Sequence, residues 1–145
     1  MANFVKLTPI KNANRNGISN AVTTSALFTA AATNGATTPS YGAYYESKAR
    51  QDKIALLVQN THESAAKSFT VKAGNHGVWG ADGDLTFEIA AGKTVLITLD
   101  TGKYKFAQSD AAVSELVGGS IDVKGCVVLV ADSTDVKFCL IEESI

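Results

Sequence analysis

Apolar and polar residues alternate with a period of two along three separate segments of this 145-residue chain. In residues 67–73, 84–89 and 93–99, every second residue is apolar and most of the residues between them are polar. Successive side chains of a β-strand point to opposite sides of its sheet, so this pattern is typical of strands with one buried face. Residues 54–60 and 126–131 are almost continuously apolar, which is typical of central strands.

Short glycine-containing segments separate these predicted strands. Ala90-Ala91-Gly92 predicts a tight turn whose glycine takes a positive φ, and Asp100-Thr101-Gly102 predicts a second turn before a strand over residues 103–106. No segment has the pattern of a long amphipathic helix. We therefore expect an all-β fold, an antiparallel β-sandwich or jelly-roll-like domain of about eight strands with an N-terminal arm.

The distribution of charge divides the chain into two parts. Up to Tyr45 the charged residues are Lys6, Lys11 and Arg15, a charge of +3, and the remaining 100 residues carry −4, which gives the total of −1. The first part is also rich in Asn, Ala, Thr, Ser and Gly. We therefore predict an N-terminal arm or loosely structured layer over residues 1–45 and a β-sandwich domain over residues 46–145.

The first residues of the arm alternate loosely between apolar and basic side chains. Such a segment could add as a strand to a sheet edge, either of its own domain or of a neighbouring protein. An arm with basic and no acidic residues also suits docking onto an acidic protein surface. The candidate partner contacts in this arm are Phe4, Lys6, Lys11 and Arg15.

The last two predicted strands are read as a hairpin around the loop 132–135. Their inward face is apolar and forms the predicted core: Val127, Leu129, Ala131, Val136, Phe138 and Leu140. The opposite face is too apolar to be left in water, so the arm, the second sheet or a neighbouring subunit must cover it. Its candidate subunit-facing or arm-covered residues are Val128, Val130, Cys139 and Ile141. We expect Cys139 and Cys126 to be buried free thiols.

Catalytic and metal-binding motifs are represented only by incomplete matches. Gly92-Lys93-Thr94 resembles the end of a phosphate-binding loop, but Phe87 stands where that motif needs a glycine. The two histidines, His62 and His76, and the two cysteines have no compact zinc-ligand spacing. Asp82-Gly83-Asp84 predicts an ordinary turn instead of a calcium loop. The sequence therefore predicts no catalytic residue, no metal site, no cofactor and no enzyme activity.

One long loop suggests a binding role. Residues 74–83 contain four glycines and the single tryptophan of the chain, and they exceed the two to five residues that a hairpin needs. Val78 and Trp79 are therefore candidate partner contacts, since tryptophan is a frequent interface anchor. The alternative is that both side chains fold back over the end of the sandwich.

Composition restricts the class of partner. A pI near 6.1 argues against a dedicated nucleic-acid binder, and no apolar run approaches the ~20 residues of a membrane span. The N-terminus has no signal-peptide core, and two cysteines are consistent with synthesis in a reducing compartment. Only 19% of the residues are charged, which favours a structural or assembling protein.

Three consecutive stretches carry a resemblance to a known family. KIALLVQNT, SFTVKAGNHG and DLTFEIAAGKTVLITLDTGKYKF, between residues 53 and 106, resemble the head decoration or cement proteins of tailed bacteriophages. The resemblance implies a β-rich, non-catalytic protein that binds the outside of an assembled capsid and stabilises contacts between capsomers. It implies the major capsid protein as partner and a homo-oligomer, with a trimer favoured over a dimer or monomer. It also implies location on the capsid exterior after synthesis in the bacterial host cytoplasm.

Two alternatives to a decoration protein stay open. The first is a carbohydrate- or receptor-binding β-sandwich of a virion fibre or adhesin, in which Trp79, Tyr41, Tyr44 and Tyr45 would stack on a sugar. The second is another phage structural subunit, such as a tail tube or head-completion protein. No individual functional residue is transferred from the resemblance.

Overall fold

The computed structural model describes residues 3–11, 27–47, 53–76 and 83–142, and the structural statements below concern these residues. They form eleven strands and two short helices. The elements are β1 Val5–Lys6, β2 Ile10–Lys11, β3 Thr29–Ala30, β4 Ala32–Thr33, β5 Tyr41–Glu46, β6 Lys53–Asn60, β7 Lys67–Val71, β8 Leu85–Ile89, β9 Thr94–Asp100, α1 Thr101–Tyr104, α2 Ala111–Val117, β10 Cys126–Ala131 and β11 Val136–Glu142.

The strands form two sheets that pack against each other. The first sheet has the order β1-β5-β10-β7-β8 with β4 also paired to β5, and the second has the order β2-β11-β6-β9 with β3 also paired to β11. All pairings are antiparallel except those of β1 with β5 and of β2 with β11. The predicted all-β sandwich is confirmed.

The main core lies between the sheets and includes apolar side chains from both. Phe69 of the first sheet stacks on Phe87 of the same sheet at 5.2 Å between ring centroids, and it meets Phe138 of the second sheet edge-on at 6.1 Å. The predicted alternation is confirmed, because the inward residues of β7, β8 and β9 all belong to or pack against this core: Phe69, Val71, Leu85, Phe87, Ile89, Val95, Ile97 and Leu99.

The predicted hairpin of β10 and β11 is wrong, because the two strands belong to different sheets. β10 pairs with β5 and β7, and β11 pairs with β6 on one side and with β2 and β3 on the other. The chain crosses between the sheets at residues 132–135, where the Asp132 amide donates to the Ser68 carbonyl at 3.1 Å. The predicted inward residues nevertheless all lie in the core, because the inner faces of the two sheets oppose each other.

Residues 101–125 connect β9 to β10 and differ from the predicted turn and strand. The Asp100 carboxylate accepts a hydrogen bond from the Gly102 amide at 2.8 Å and caps α1, and the Lys105 amide bonds to the Thr101 carbonyl. This local capping replaces the predicted strand at 103–106 with a helical turn. The second helix, α2, begins after Asp110, whose carboxylate accepts from the Val113 amide at 3.1 Å.

The connection 101–125 forms a second apolar cluster on the outside of the first sheet. Its buried members are Phe4, Phe106, Val113, Val117, Val123 and Val128. Gly42 makes room for it, since a Cβ there would lie 2.5 Å from the Phe4 ring and 2.1 Å from the Leu129 carbonyl oxygen. The position of the Phe4 ring in this cluster therefore requires a glycine at residue 42.

The N-terminal arm pairs with its own domain along the described residues 3–11. β1 adds to β5 of the first sheet and β2 adds to β11 of the second, so the arm crosses from one sheet to the other. The predicted boundary between residues 45 and 46 falls inside β5, which pairs with β10 along its whole length. Described residues on both sides of that boundary therefore contribute to the same two sheets.

Candidate functional site

The outward-facing residues of β9, β6 and β11 form a continuous surface that we call the open face. The strand register arranges them in rows across the second sheet, so that Leu96, Leu57 and Cys139 are neighbours in one row. The open face consists of Thr94, Leu96, Thr98 and Asp100 on β9, Ala55, Leu57 and Gln59 on β6, and Lys137, Cys139 and Ile141 on β11.

Leu96 distinguishes this surface from the rest of the described structure. Its side chain is 64% exposed, and it is the one large apolar residue that is exposed among the described residues. Leu57 and Ile141 beside it are half-buried, whereas Cys139 is buried. An apolar centre surrounded by threonine and glutamine is a surface suited to packing against other protein.

The outer side of the first sheet differs from the open face, because the chain covers it. Val128 is fully buried under α2, and Val130 and Tyr44 pack against the same cluster. The residues predicted on one surplus apolar face therefore lie on two different faces, at opposite sides of the sandwich. Val128 and Val130 lie in the covered one, which the arm residue Phe4 helps to cover, while Cys139 and Ile141 lie on the open face.

The charges of the open face lie at its two ends. Asp100 ends β9 at one corner, in one row with Lys53 of β6, and Lys137 lies near the start of β11 at the diagonally opposite corner. The open-face residues of the two rows between these ends are uncharged. The surface therefore has an uncharged, partly apolar middle between two charged ends.

The predicted arm contacts are separated by the fold. Phe4 is only 3% exposed, and its amide donates to the Val117 carbonyl at 2.8 Å. This corrects its prediction as a partner contact, because the ring is used inside its own domain. Lys6 is exposed and forms an ion pair with Glu46 at 3.0 Å. Lys11 pairs with Glu142 through the backbone of β2.

Three other predicted contacts lie outside the described residues. They are Arg15 in the arm and Val78 and Trp79 in the long loop. Their assignment as partner contacts stays a prediction from the sequence.

Both cysteines are buried free thiols, as predicted. Burial, followed by the charge of Glu46, raises the pKa of the Cys126 thiol to about 11. Burial also raises the pKa of the Cys139 thiol. A thiol with a raised pKa holds little thiolate near neutral pH, so neither cysteine is prepared for nucleophilic chemistry.

Two of the polar residues singled out in the sequence, His62 and Asp84, form local hydrogen bonds. His62 Nδ1 accepts hydrogen bonds from the Ser64 and Ala65 amides, which closes the turn after β6. The Asp84 carboxylate accepts from the Ala73 amide at 2.7 Å and from Lys72 Nζ at 2.9 Å. Within the described part of the chain, no group of three or more His, Cys, Asp or Glu residues could hold a metal ion.

A cavity of about 290 Å³ opens at the edge of the second sheet, beside β11 and between β2 and β3. Leu7, Leu27, Phe138 and Leu140 contribute apolar walls, and Lys6 lies at its rim. We assign it no ligand.

Comparisons with protein-family models, with curated proteins and with solved structures give no match for this chain. None of the helices described here has the length and apolar character needed to cross a membrane.

The open face was only partly anticipated by the sequence. Cys139 and Ile141 were predicted on a surplus apolar face, but Leu57 and Leu96 were not singled out as surface residues. The signal for Leu96 is present in the alternation itself, since a leucine occupies an outward position between Thr94 and Thr98.

Proposed function

We propose that the chain is a virion structural protein that binds the outer surface of an assembled phage capsid and stabilises contacts between capsomers. The observation that carries this proposal is the open face, a largely uncharged, partly apolar surface on a domain that covers its other sheet itself. Such a surface supports a role in packing against other protein subunits.

The segment that resembles head decoration proteins contributes most of this surface. Residues 53–106 include β6 and β9, which supply Leu57 and Leu96. They also include β7 and β8, the edge strand pair of the first sheet. The resemblance and the open face are therefore located in the same part of the molecule, which supports a capsid as the surface that recruits it.

Stabilisation in this proposal is non-covalent and depends on copy number. A single contact through one open face is weak. A capsid offers many equivalent sites, however, and an oligomer that bridges two capsomers gains avidity. Low charge and many small residues favour close approach between subunits. The partner in this proposal is the major capsid protein, and the protein acts as a homo-oligomer on the capsid exterior.

The test is to add the purified chain to undecorated capsids of the phage that encodes it. We expect it to co-sediment with mature capsids at a saturating ratio and to raise the temperature at which they release DNA. A charged variant outside the open face, Glu88→Lys, serves as a folding-matched control. Absence of binding to capsids in every maturation state would overturn the proposal.

The structure does not favour the sugar-binding alternative. Tyr45 is 3% exposed in the main core and Tyr41 packs against that core, whereas Tyr44 packs against the cluster on the covered side of the first sheet. The Tyr45 hydroxyl donates to Glu142 of the second sheet. The three tyrosines therefore do not share one stacking surface.

A further inference from the structure

We infer that the edge strand β9 pairs with β9 of a second copy of the chain, so that the second sheets of the two copies form one continuous antiparallel sheet. This inference goes beyond the proposed capsid function and does not rest on it. It is carried by the main-chain groups along the edge of β9 and by the symmetric sequence of residues 94–98.

The hydrogen bonds between β6 and β9 show which main-chain groups of β9 face the edge. The Asn60 amide donates to the Lys93 carbonyl at 2.9 Å, and these two residues continue the β6–β9 register by one position. Hydrogen-bonded pairs alternate along an antiparallel ladder with pairs whose amides and carbonyls point away from the neighbouring strand. The main-chain groups of Thr94, Leu96 and Thr98 therefore point away from β6, toward the edge of the sheet. Among the described residues, these groups have no hydrogen-bond partner.

β9 lacks the protection that the other edge strands of the described structure have. Edge strands are commonly protected from pairing by being very short or by carrying charged side chains. The strands β1 to β4 have two residues each, and β8 carries the exposed Glu88. β9 has seven residues, no charge over residues 94–99, and exposed side chains at Thr94, Leu96 and Thr98. Such an edge is suited to pairing with another strand, because an extended backbone presents its amides and carbonyls at the matching spacing.

The sequence of this edge matches a second copy of itself. Residues 94–98 are Thr-Val-Leu-Ile-Thr, which gives the same order of residue classes in both directions. Antiparallel pairing centred on Leu96 therefore places Leu96 opposite Leu96 of the second copy, Thr94 opposite Thr98, and Val95 opposite Ile97. The edge-facing groups of 94, 96 and 98 then form three hydrogen-bonded pairs, because the two residues of such a pair exchange both of their bonds. Isologous interfaces require this relation, in which residue i contacts residue j and j contacts i.

The pairing also covers apolar side chains on both sides of the sheet. On the outer side, Leu96 is 64% exposed and meets its counterpart at the two-fold axis. On the inner side, Val95 and Ile97 pack against the main core but are only half-buried. Leu85 and Phe87 are half-buried as well, on the strand β8 that a short turn joins to β9. The core is therefore incompletely covered along this side of the sandwich, and a second copy would cover it.

The charges near the edge are compatible with this arrangement. In a register centred on Leu96, Lys93 of one copy comes next to Asp100 of the other copy at both ends of the paired strands. The two copies of Lys93 are then about 20 Å apart along the strands, and the two copies of Asp100 about 27 Å apart. Lys53 is in line with Asp100 but on β6, one strand further from the edge. Glu88 lies on the outer side of the first sheet, since it alternates with inward residues of β8.

Pairing through the edge leaves the open face available to another partner. The outer sides of the two second sheets continue into one surface, and the contact uses neither Leu57 nor Cys139. The seven residues of β9 span about 24 Å, and the two layers of the sandwich are about 20 Å deep, so the contact covers roughly 500 Å² per copy. This is below the ~800 Å² per partner of a standard stable interface. We therefore expect a reversible dimer with a dissociation constant of about 10–100 μM.

Sedimentation and amide hydrogen exchange test the pairing on the unmodified chain. Sedimentation velocity over about 1 to 500 μM should show a shift from monomer to dimer. The Leu96 and Thr98 amides should gain about three- to tenfold protection from exchange over this range, whereas the Val95 and Ile97 amides, which bond to β6, should be protected throughout. A chain that stays monomeric, or Leu96 protection that does not change with concentration, would overturn the inference.

Charged variants at the axis test the register. Leu96→Lys and Leu96→Glu each place like charges directly opposite each other and should weaken self-association about tenfold or more. An equimolar mixture of the two variants should form a heterodimer, because Lys then lies opposite Glu. Gln59→Lys adds the same charge to the open face one strand away from the edge, and should change the association by less than about twofold. If Gln59→Lys weakens association as much as Leu96→Lys does, the copies meet face to face and the edge pairing is wrong.

Melting temperatures at about 2 μM separate folding defects from interface effects. Because Leu96 is exposed in the monomer, its variants should melt within about 3 °C of the unmodified chain. Association in the mixture would also show that both variants are folded. A mixture that does not associate would overturn the register, and a trimer of the unmodified chain would overturn the two-fold pairing. Capsid binding is measured separately, so the two proposals fail independently.

Discussion

The two sheets of this molecule have apolar outer faces, which the described residues leave exposed to different extents. On the first sheet, α2 and Phe4 enclose Val128 so that it is fully buried. On the second sheet, Leu96 stays 64% exposed. Outward apolar residues are therefore placed differently on the two sheets, since those of the first sheet complete a core within the chain and those of the second include an exposed leucine.

The difference has its origin in the connections between strands. The connection from β9 to β10 spans residues 101–125 and folds over the first sheet, whereas the turn from β8 to β9 is short, with Gly92 at a φ of 71°. A turn this short contributes no covering side chains to the second sheet. Substitutions on the covered face are therefore expected to destabilise the fold more than substitutions on the open face.

Phe4→Ala should strongly destabilise the covered face. The ring is 3% exposed, packs in the second cluster and lies against Gly42. Its removal should lower the free energy of unfolding by about 3–4 kcal/mol, because a large buried side chain is replaced by a cavity. Urea denaturation followed by tryptophan fluorescence and circular dichroism measures this change. A loss below about 1 kcal/mol would show that the arm is not part of the cooperative fold.

Asp110→Ala should also destabilise the covered face, by less than Phe4→Ala does. The carboxylate accepts the Val113 amide at 3.1 Å and is the N-cap of α2. Loss of such a cap typically costs about 1 kcal/mol. Asp110→Asn should restore most of this stability, because asparagine is also a good N-cap. Equal destabilisation by both variants would indicate that charge, and not capping, is the stabilising property.

Low pH should destabilise the connection 101–125, which covers the first sheet, through protonation of Asp122. The Lys124 backbone amide, followed by the Ser109 hydroxyl, lowers the pKa of this carboxyl below its ordinary value. Its contribution to stability is therefore present above the unfolded pKa of about 3.9 and is lost as the pH falls through the lower folded value. The protection factor of the Lys124 amide against hydrogen exchange, which corrects for the pH dependence of the intrinsic rate, should fall in that range. Asp122→Asn should remove this pH dependence while leaving exchange in β6 unchanged.

The contrast between the faces also shows what sequence alone could predict. Period-two alternation gave the correct inward residues for β10 and β11, such as Leu129 and Phe138, although the predicted pairing of these strands was wrong. Alternation specifies which side of a strand is buried, but it does not specify which strand lies beside it. The sandwich was therefore predictable, whereas its sheet order was not.

The segment that covers the outer side of the first sheet was harder to predict than the strands. Val130 and Ile141 have the same character in the sequence, but only Val130 lies under the second cluster. The covering helix α2 has only seven residues and no long apolar stripe. The sequence signals for this helix are Asp110 before it and the glycines Gly118 and Gly119 after it, which are typical of helix ends. Both glycines have a positive φ in the structure. Which face such a short helix covers depends on the tertiary fold.

Leu96→Thr should have the smallest effect on the stability of the monomer, and this makes it the sharpest test of the open face. Threonine already occupies the neighbouring outward positions 94 and 98 and has a favourable β propensity. Because Leu96 is mostly exposed, we expect the free energy of unfolding to change by no more than about 0.5 kcal/mol at concentrations where the chain is monomeric. Urea denaturation at low micromolar concentration measures this, with Phe4→Ala as the contrasting variant on the covered face. A loss above about 1.5 kcal/mol would mean that Leu96 is buried within the isolated chain. The two sheets would then be covered alike, and the surface available to a partner would have to lie elsewhere.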